Sequence, residues 1–146
     1  MSATIIDIAD AVVVELNVAS RFSMAVEAER TYVPIFELEG MDTLRVPVVF
    51  RADASQRADR TRWQRDYRIE VGILKRVSRD DQKAEADELT ALVEEMAEYF
   101  RTSRPLSALQ QFHCAMVEND PVYDPEHLDR LSQFTSLLIL TFREWR

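Results

Sequence analysis

The stretch Phe134-Thr135-Ser136-Leu137-Leu138-Ile139-Leu140-Thr141-Phe142-Arg143-Glu144-Trp145 is the longest strand signal in the chain. Its centre, Leu137 to Leu140, is apolar at consecutive positions. Successive side chains of a strand point to opposite faces, so both faces of this one are apolar and it belongs inside a sheet with material on either side. The other strands have to come from upstream.

Tyr67, Ile69, Val71 and Ile73 alternate with Arg68, Glu70 and Gly72, which predicts a strand with one buried and one wet face. Residues 44–51 predict a second strand, and Pro47 inside it points to an edge or an irregular pairing, because proline cannot donate to a ladder. Phe22, Met24, Val26 and Ala28 alternate with Ser23, Ala25, Glu27 and Glu29, predicting a first strand over 21–29 that Tyr32-Val33-Pro34 prolongs or bends. Residues 35–43, with Gly40, read as a connection. A fourth strand is expected at 112–117. Between the second and third strands, residues 52–63 lack an apolar period and read as a long mobile loop at a hairpin tip.

Two stretches carry the helical period instead. Thr4 with Asp7 resembles a capping box, and Ile5, Ile8, Ala9, Val12, Val13 and Leu16 place a helix over 4–18, weakest at Val12-Val13-Val14 where β-branched side chains lose rotamer freedom. Ser78 with Asp81 suggests a second cap, and Leu89, Leu92, Val93, Met96 and Phe100 predict a long amphipathic helix over 80–102. Its other face is acidic, with Glu85, Asp87, Glu88, Glu94, Glu95 and Glu98. Ser103-Arg104-Pro105 stops it, since the residue before a proline avoids helical backbone. Asn119-Asp120-Pro121 and Asp124-Pro125-Glu126 are turn chemistry, with a short helical turn through His127-Leu128-Asp129. The expected fold is α+β: a mostly antiparallel sheet of about five strands with two main helices packed on it and a long loop between strands two and three. A length of 146 residues suits a single domain spanning 1–146.

Composition narrows the chemistry. The single cysteine, Cys114, cannot form an internal disulfide, and Cys114, His113 and His127 are too few for a structural zinc site. No apolar run approaches the roughly 20 residues that cross a bilayer, and the N-terminal residues lack the basic flank of a secretory signal. A soluble protein kept in a reducing compartment is expected. A net charge of −8 argues against gripping nucleic-acid phosphates, which depends on excess Lys and Arg.

No nucleotide-binding, nucleophile-elbow or zinc-protease motif occurs, and Gly40 and Gly72 are the only glycines, so a phosphate cradle is not expected, and neither is any cofactor. His113 beside Cys114 suggests a nucleophile and base, but neighbours on a strand face opposite ways, which favours a strand histidine and a core cysteine. Glu94, Glu95 and Glu98 could supply acid–base carboxylates of a small hydrolase or ligand-binding domain, yet they oppose the apolar stripe, which favours a solvated or partner-facing surface. His127 reads as a surface or capping residue. Arg57, Arg60, Arg62, Arg65 and Arg68 concentrate positive charge beside Trp63 in an otherwise acidic chain. Arg and Trp are common interface anchors, so a docking role stands beside a merely solvated tip. Nucleic-acid binding by this stretch is weakened by Asp53, Asp59 and Asp66 within it.

The order helix, strand, strand, long loop, strand, helix, strand, strand resembles the tail terminator proteins of long-tailed bacteriophages. The stretch Val117-Glu118-Asn119-Asp120-Pro121-Val122-Tyr123-Asp124-Pro125-Glu126-His127-Leu128, followed by Gln133-Phe134-Thr135-Ser136, is similar to small proteins encoded near phage head–tail joining genes. The resemblance implies a non-enzymatic subunit of a hexameric ring in the virion neck, assembled in the host cytoplasm. Its partners would be the tail tube protein and a head–tail connector or head-closure protein, with genomic DNA passing through unbound and no membrane involved. The family's long loop, which orders against neighbouring rings, maps onto residues 52–64, with Arg57, Arg60, Arg62 and Trp63 as anchors for the tail tube or an adjacent subunit. A head-closure protein and a regulator that binds proteins through the Arg-rich loop are the alternatives.

Overall fold

The computed structural model describes residues 4–32, 43–50, 55–59, 62–102, 105–119 and 123–144, and for 55–59, 62–65 and 131 the backbone alone. Its elements are α1 (Thr4–Leu16), β1 (Ala28–Arg30), β2 (Val46–Phe50), β3 (Ser55–Asp59), β4 (Arg62–Arg76), α2 (Gln82–Arg101), β5 (Phe112–Asn119), α3 (Pro125–Leu131) and β6 (Gln133–Glu144). The strands form one mixed, mostly antiparallel sheet in the order β1-β2-β4-β6-β5, with β3 pairing the start of β4. This is the α+β architecture that the hydrophobic pattern predicts.

The closing stretch takes the interior position expected of it. β6 lies between β4 and β5 and runs antiparallel to both. Leu138, Leu140 and Phe142 are fully buried on the helix-bearing face, opposite Val71, Ile69 and Tyr67 of β4. Thr135 and Thr141 are buried on the other face, where Leu137 and Ile139 are half-buried. Burial on both sides is what holds an apolar run in a sheet interior.

α1 packs on β1 and β2 through Ile8, Ala9, Ala11, Val12 and Leu16, and α2 packs on β5 and β6 through Leu89, Leu92, Val93, Met96, Ala97 and Phe100. The Phe100 ring stands edge-on to Phe142 at 6.2 Å between centroids. All of these side chains join one core. Val12 is buried while Val14 is exposed, so the β-branched run survives because tertiary burial outweighs its weak helix preference.

The expected first strand is much shorter than its alternation suggests. Only Ala28–Arg30 is a strand, and it pairs parallel to β2. Phe22, Met24 and Val26 do pack on the core, which accounts for the alternation. Their backbone is held by side chains instead of a ladder: Ser23 N–H donates to Glu95, and Ser20 has φ 61°. Asn17, just past α1, donates from Nδ2 to Ala28 O and accepts from Ala28 N–H at 3.1 and 2.6 Å. Its amide thus imitates a neighbouring strand and clips α1 to β1.

Pro47 is not on an edge, because β2 has β1 on one side and β4 on the other. The irregular pairing is what occurs. Arg45 and Leu74 exchange both backbone hydrogen bonds as an isolated bridge, and the register resumes only at Val48–Val71. In between, Pro47 faces Gly72, where an added Cβ would lie 3.0 Å from the proline ring. Glycine leaves room for a ring that contributes no N–H.

Within the long connection from β2, β3 pairs antiparallel with residues 62–66 of β4. Asp66 pairs β6 on its other side and Ile69 pairs both β2 and β6, so β2 and β3 share one edge of β4. Residues 52–54 and 60–61 of the expected loop, residue 51 of the expected second strand, 33–34 of the first strand's expected prolongation and 35–42 of the expected connection lie outside the described residues. Asp81 sits at the N-cap of α2 without a side-chain capping bond; Glu85 instead reaches back to Ser78 N–H at 2.6 Å. Asp124 does cap α3, accepting from the N–H groups of Glu126 and His127 at 3.0 and 3.1 Å.

Candidate functional site

Arg57 lies on β3 opposite Gln64, and Arg62 and Trp63 begin β4 opposite Asp59 and Ala58. Arg60 lies outside the described residues, as do the side chains of the other three. The fold therefore gathers three of the four sequence-derived anchors onto one two-stranded ribbon. That ribbon runs past Asp66, the last β4 residue in register with β6. Arg68, two residues beyond Asp66 and already paired with Thr141 of β6, is exposed.

The root of the ribbon is tied down. Arg143 of β6 sits opposite Asp66 and grips its carboxylate with Nε at 3.0 Å and Nη2 at 3.3 Å. This two-point geometry suits a guanidinium and a carboxylate. His113 of β5 lies on the far side of Arg143. Its pKa is lowered, first by burial and then by the Arg143 charge, with Asp66 acting the other way. A neutral imidazole is thereby favoured in the row.

The acidic flank of α2 forms the second surface. Glu94 and Glu98 are exposed, whereas Glu95 is partly buried and accepts from Ser23 N–H and Oγ at 3.0 and 2.8 Å. Beside them, Phe22 and Tyr99 meet edge-on at 6.1 Å, and the Arg21 guanidinium lies 4.5 Å from the Tyr99 ring centre. Together they border an open groove of about 750 Å³. The three carboxylates face open water and an already committed serine, not an enclosed pocket that would favour proton transfer.

Under that groove is a site the sequence reading missed. Glu15 of α1 is only 3 % exposed. Its carboxylate accepts from Arg21 at 2.7 Å, from Ser107 N–H at 2.7 Å, and from the hydroxyls of Tyr99 and Ser107. Burial alone pushes its pKa up, but the hydrogen bonds from Ser107, Tyr99 and Arg21 outweigh that and hold it at about 2. α1, α2 and the segment before β5 are thus fastened at one anion. The available signal was a glutamate in phase with Ile8, Val12 and Leu16 on the apolar stripe of the first helix.

The remaining sequence candidates are separated in space. Cys114 is buried in the core, its thiol pushed up to about 11 by burial, while His113 faces the other side of β5 beside Arg143. A thiolate nucleophile needs the opposite shift. His127 Nδ1 lies 3.0 Å from Thr135 Oγ1, and its Nε2 is 3.7 Å from the capping Asp124. These groups edge an apolar recess of about 190 Å³ floored by Pro47, Val49, Gly72 and Leu137. That is below the roughly 300 Å³ at which ligand pockets usually begin.

Among the described residues no three His, Cys, Asp or Glu side chains converge as metal ligands, and no helix is long and apolar enough to cross a membrane. No protein-family model matches the chain, and no curated protein matches it.

Proposed function

We propose that this chain is a non-enzymatic subunit of the tail terminator ring of a long-tailed bacteriophage, a hexamer that caps the tail tube, stops its polymerisation and joins it to the head connector. The observation that carries this reading is the Arg- and Trp-bearing β3–β4 ribbon, which leaves an acidic sheet-and-helix body at an end braced by the Asp66–Arg143 pair. Arg and Trp anchors recover in contacts what an extended segment loses in conformational entropy on docking. The resemblance in element order supports the same reading. The net negative charge suits a neck through which DNA passes without being held, because phosphates find no surplus of cations there. The ring would reside in the virion neck and assemble in the host cytoplasm.

The test is to incubate the purified protein with growing tail tubes and image them by electron microscopy. Added density at one tube end, with tube length arrested, is the expected result. Protein that shows no affinity for tube ends refutes the reading, and ring position in whole particles separates a terminator from a head-closure protein.

A further inference from the structure

α1 and α2 pack on one face of the sheet; on the other, among the described residues, only α3 reaches over the strands, through His127 on Thr135. A single row of positions crosses that other face. Glu29 pairs Pro47, Pro47 faces Gly72, and Gly72 pairs Leu137. Gly72 brings no side chain to the row, and a glycine inside a strand leaves a dent that something else can approach closely. That dent is the apolar recess of about 190 Å³. Its α3 wall is fixed in advance. Gln133 Nε2 donates to Thr135 Oγ1 at 3.0 Å, which leaves the threonine proton for His127 Nδ1, also at 3.0 Å. Towards β1 the recess adjoins a more open cleft of about 340 Å³, and Pro47 and Leu74 line both spaces. Glu27 and Glu29 stand exposed on the rim of this cleft, and neither makes an ion pair among the described residues. Around the two spaces the carboxylates Glu27, Glu29, Glu70 and Asp124 outnumber the Arg45 guanidinium and the titratable His127.

We propose that recess and cleft together form one binding site for a small organic cation, with an aryl or branched aliphatic group in the recess and an ammonium at Glu27 and Glu29. Size supports this. An apolar cavity of about 150 Å³ takes up one benzene ring, so the recess suits a single ring, and recess and cleft together fall within the roughly 300–1,000 Å³ of ligand pockets. Spacing supports it too. Strands lie about 4.8 Å apart, so the Glu29 backbone stands roughly 10 Å from Gly72, a gap closed by the glutamate side chain and a ligand arm of about four carbons. The floor is already in place, because Pro47 is a closed ring, Gly72 has no side chain to move, and Val49 and Leu74 are buried. A preformed apolar floor loses little freedom when a ligand settles on it. An anion of the same shape meets the surplus of carboxylates and is disfavoured. This inference is independent of the terminator reading, which the tube-end test decides separately.

The experiment is an amide NMR titration of the full chain at neutral pH with 4-phenylbutylamine. Saturable shifts centred on Glu29, Gly72 and Leu137 are expected, with a dissociation constant on the order of 1 mM, in keeping with so small a ligand. Butylamine, which lacks the ring, and 4-phenylbutyrate, which reverses the charge, should each bind at least about 10-fold more weakly. Two variants separate the halves of the site. Glu27→Gln with Glu29→Gln should weaken the amine about 5-fold or more while leaving the uncharged 4-phenylbutanol unchanged. Leu137→Trp fills the recess and should abolish binding of both ring compounds. Circular dichroism and the urea midpoint establish folding; if the tryptophan variant does not fold, the glutamine pair, at exposed positions, carries the test. No saturable shift, shifts centred on the Phe22–Tyr99 groove instead, 4-phenylbutyrate binding as tightly as the amine, or a folded glutamine pair with unchanged amine affinity each overturn the inference.

Discussion

Replacing Glu15 by Gln keeps the shape of a buried side chain while removing its charge. Four donors converge on the carboxylate: Arg21 Nη1, Ser107 N–H and the hydroxyls of Tyr99 and Ser107. The hydroxyls can turn to accept from the new amide; the guanidinium and the backbone N–H cannot. The folded pKa is about 2 against an ordinary 4.5, so the anion's contribution is complete above about pH 5 and is lost as pH falls through the folded value. That fall, at about 1.36 kcal/mol per pH unit, amounts to about 3 kcal/mol at neutral pH. With a urea slope of about 2 kcal/mol/M, the midpoint should drop by about 1.5 M at pH 7. The gap between wild type and variant should shrink to about half or less by pH 3, because the native carboxylate is then losing its advantage. Equal midpoints at pH 7, or a gap unchanged between pH 7 and pH 3, would refute the assignment of Glu15 as a stabilising buried anion.

Three further outcomes are expected. Gly72→Ala places a methyl 3.0 Å from the Pro47 ring, so thermal unfolding should show a loss of about 1–3 kcal/mol from overpacking. Leu92→Ala, on the fully buried stripe of α2, should cost about 2–5 kcal/mol by urea denaturation, whereas Glu88→Ala on the exposed stripe should stay within about 0.5 kcal/mol. Cys114, buried and with its thiol held at about 11, should react with a disulfide reagent at pH 8 at least about 100-fold more slowly in the native protein than in urea; comparable rates would place the thiol outside the core.

Periodic stretches were readable from sequence because one burial pattern controls them. The β6 run, the alternation of β4 and the Leu89–Phe100 stripe each bury a single face or both, and their elements lie where the period puts them. The 21–29 alternation was misleading for a physical reason: Phe22, Met24 and Val26 reach the core from a backbone held by Glu95 and Asn17, and side-chain bonds of that kind leave no period. β3 had no apolar signal because its stability comes from the ladder with β4. Of the candidate sites, the separation of His113 from Cys114 followed from strand geometry alone. The Glu15 anion and the Phe22–Tyr99 wall depend on residues far apart in the chain, so only the fold brings them together.

The position of β6 also bears on how the polypeptide acquires its shape during synthesis. β4 and β5 never touch as neighbours; each meets the other only through a strand translated after both. A nascent chain without β6 therefore presents two open, apolar strand edges, the kind of surface that invites stray pairing. Stop codons anywhere before residue 133 should yield insoluble product, and the emergence of β6 from the ribosome, more than any early helix, should be the moment at which the sheet knits shut.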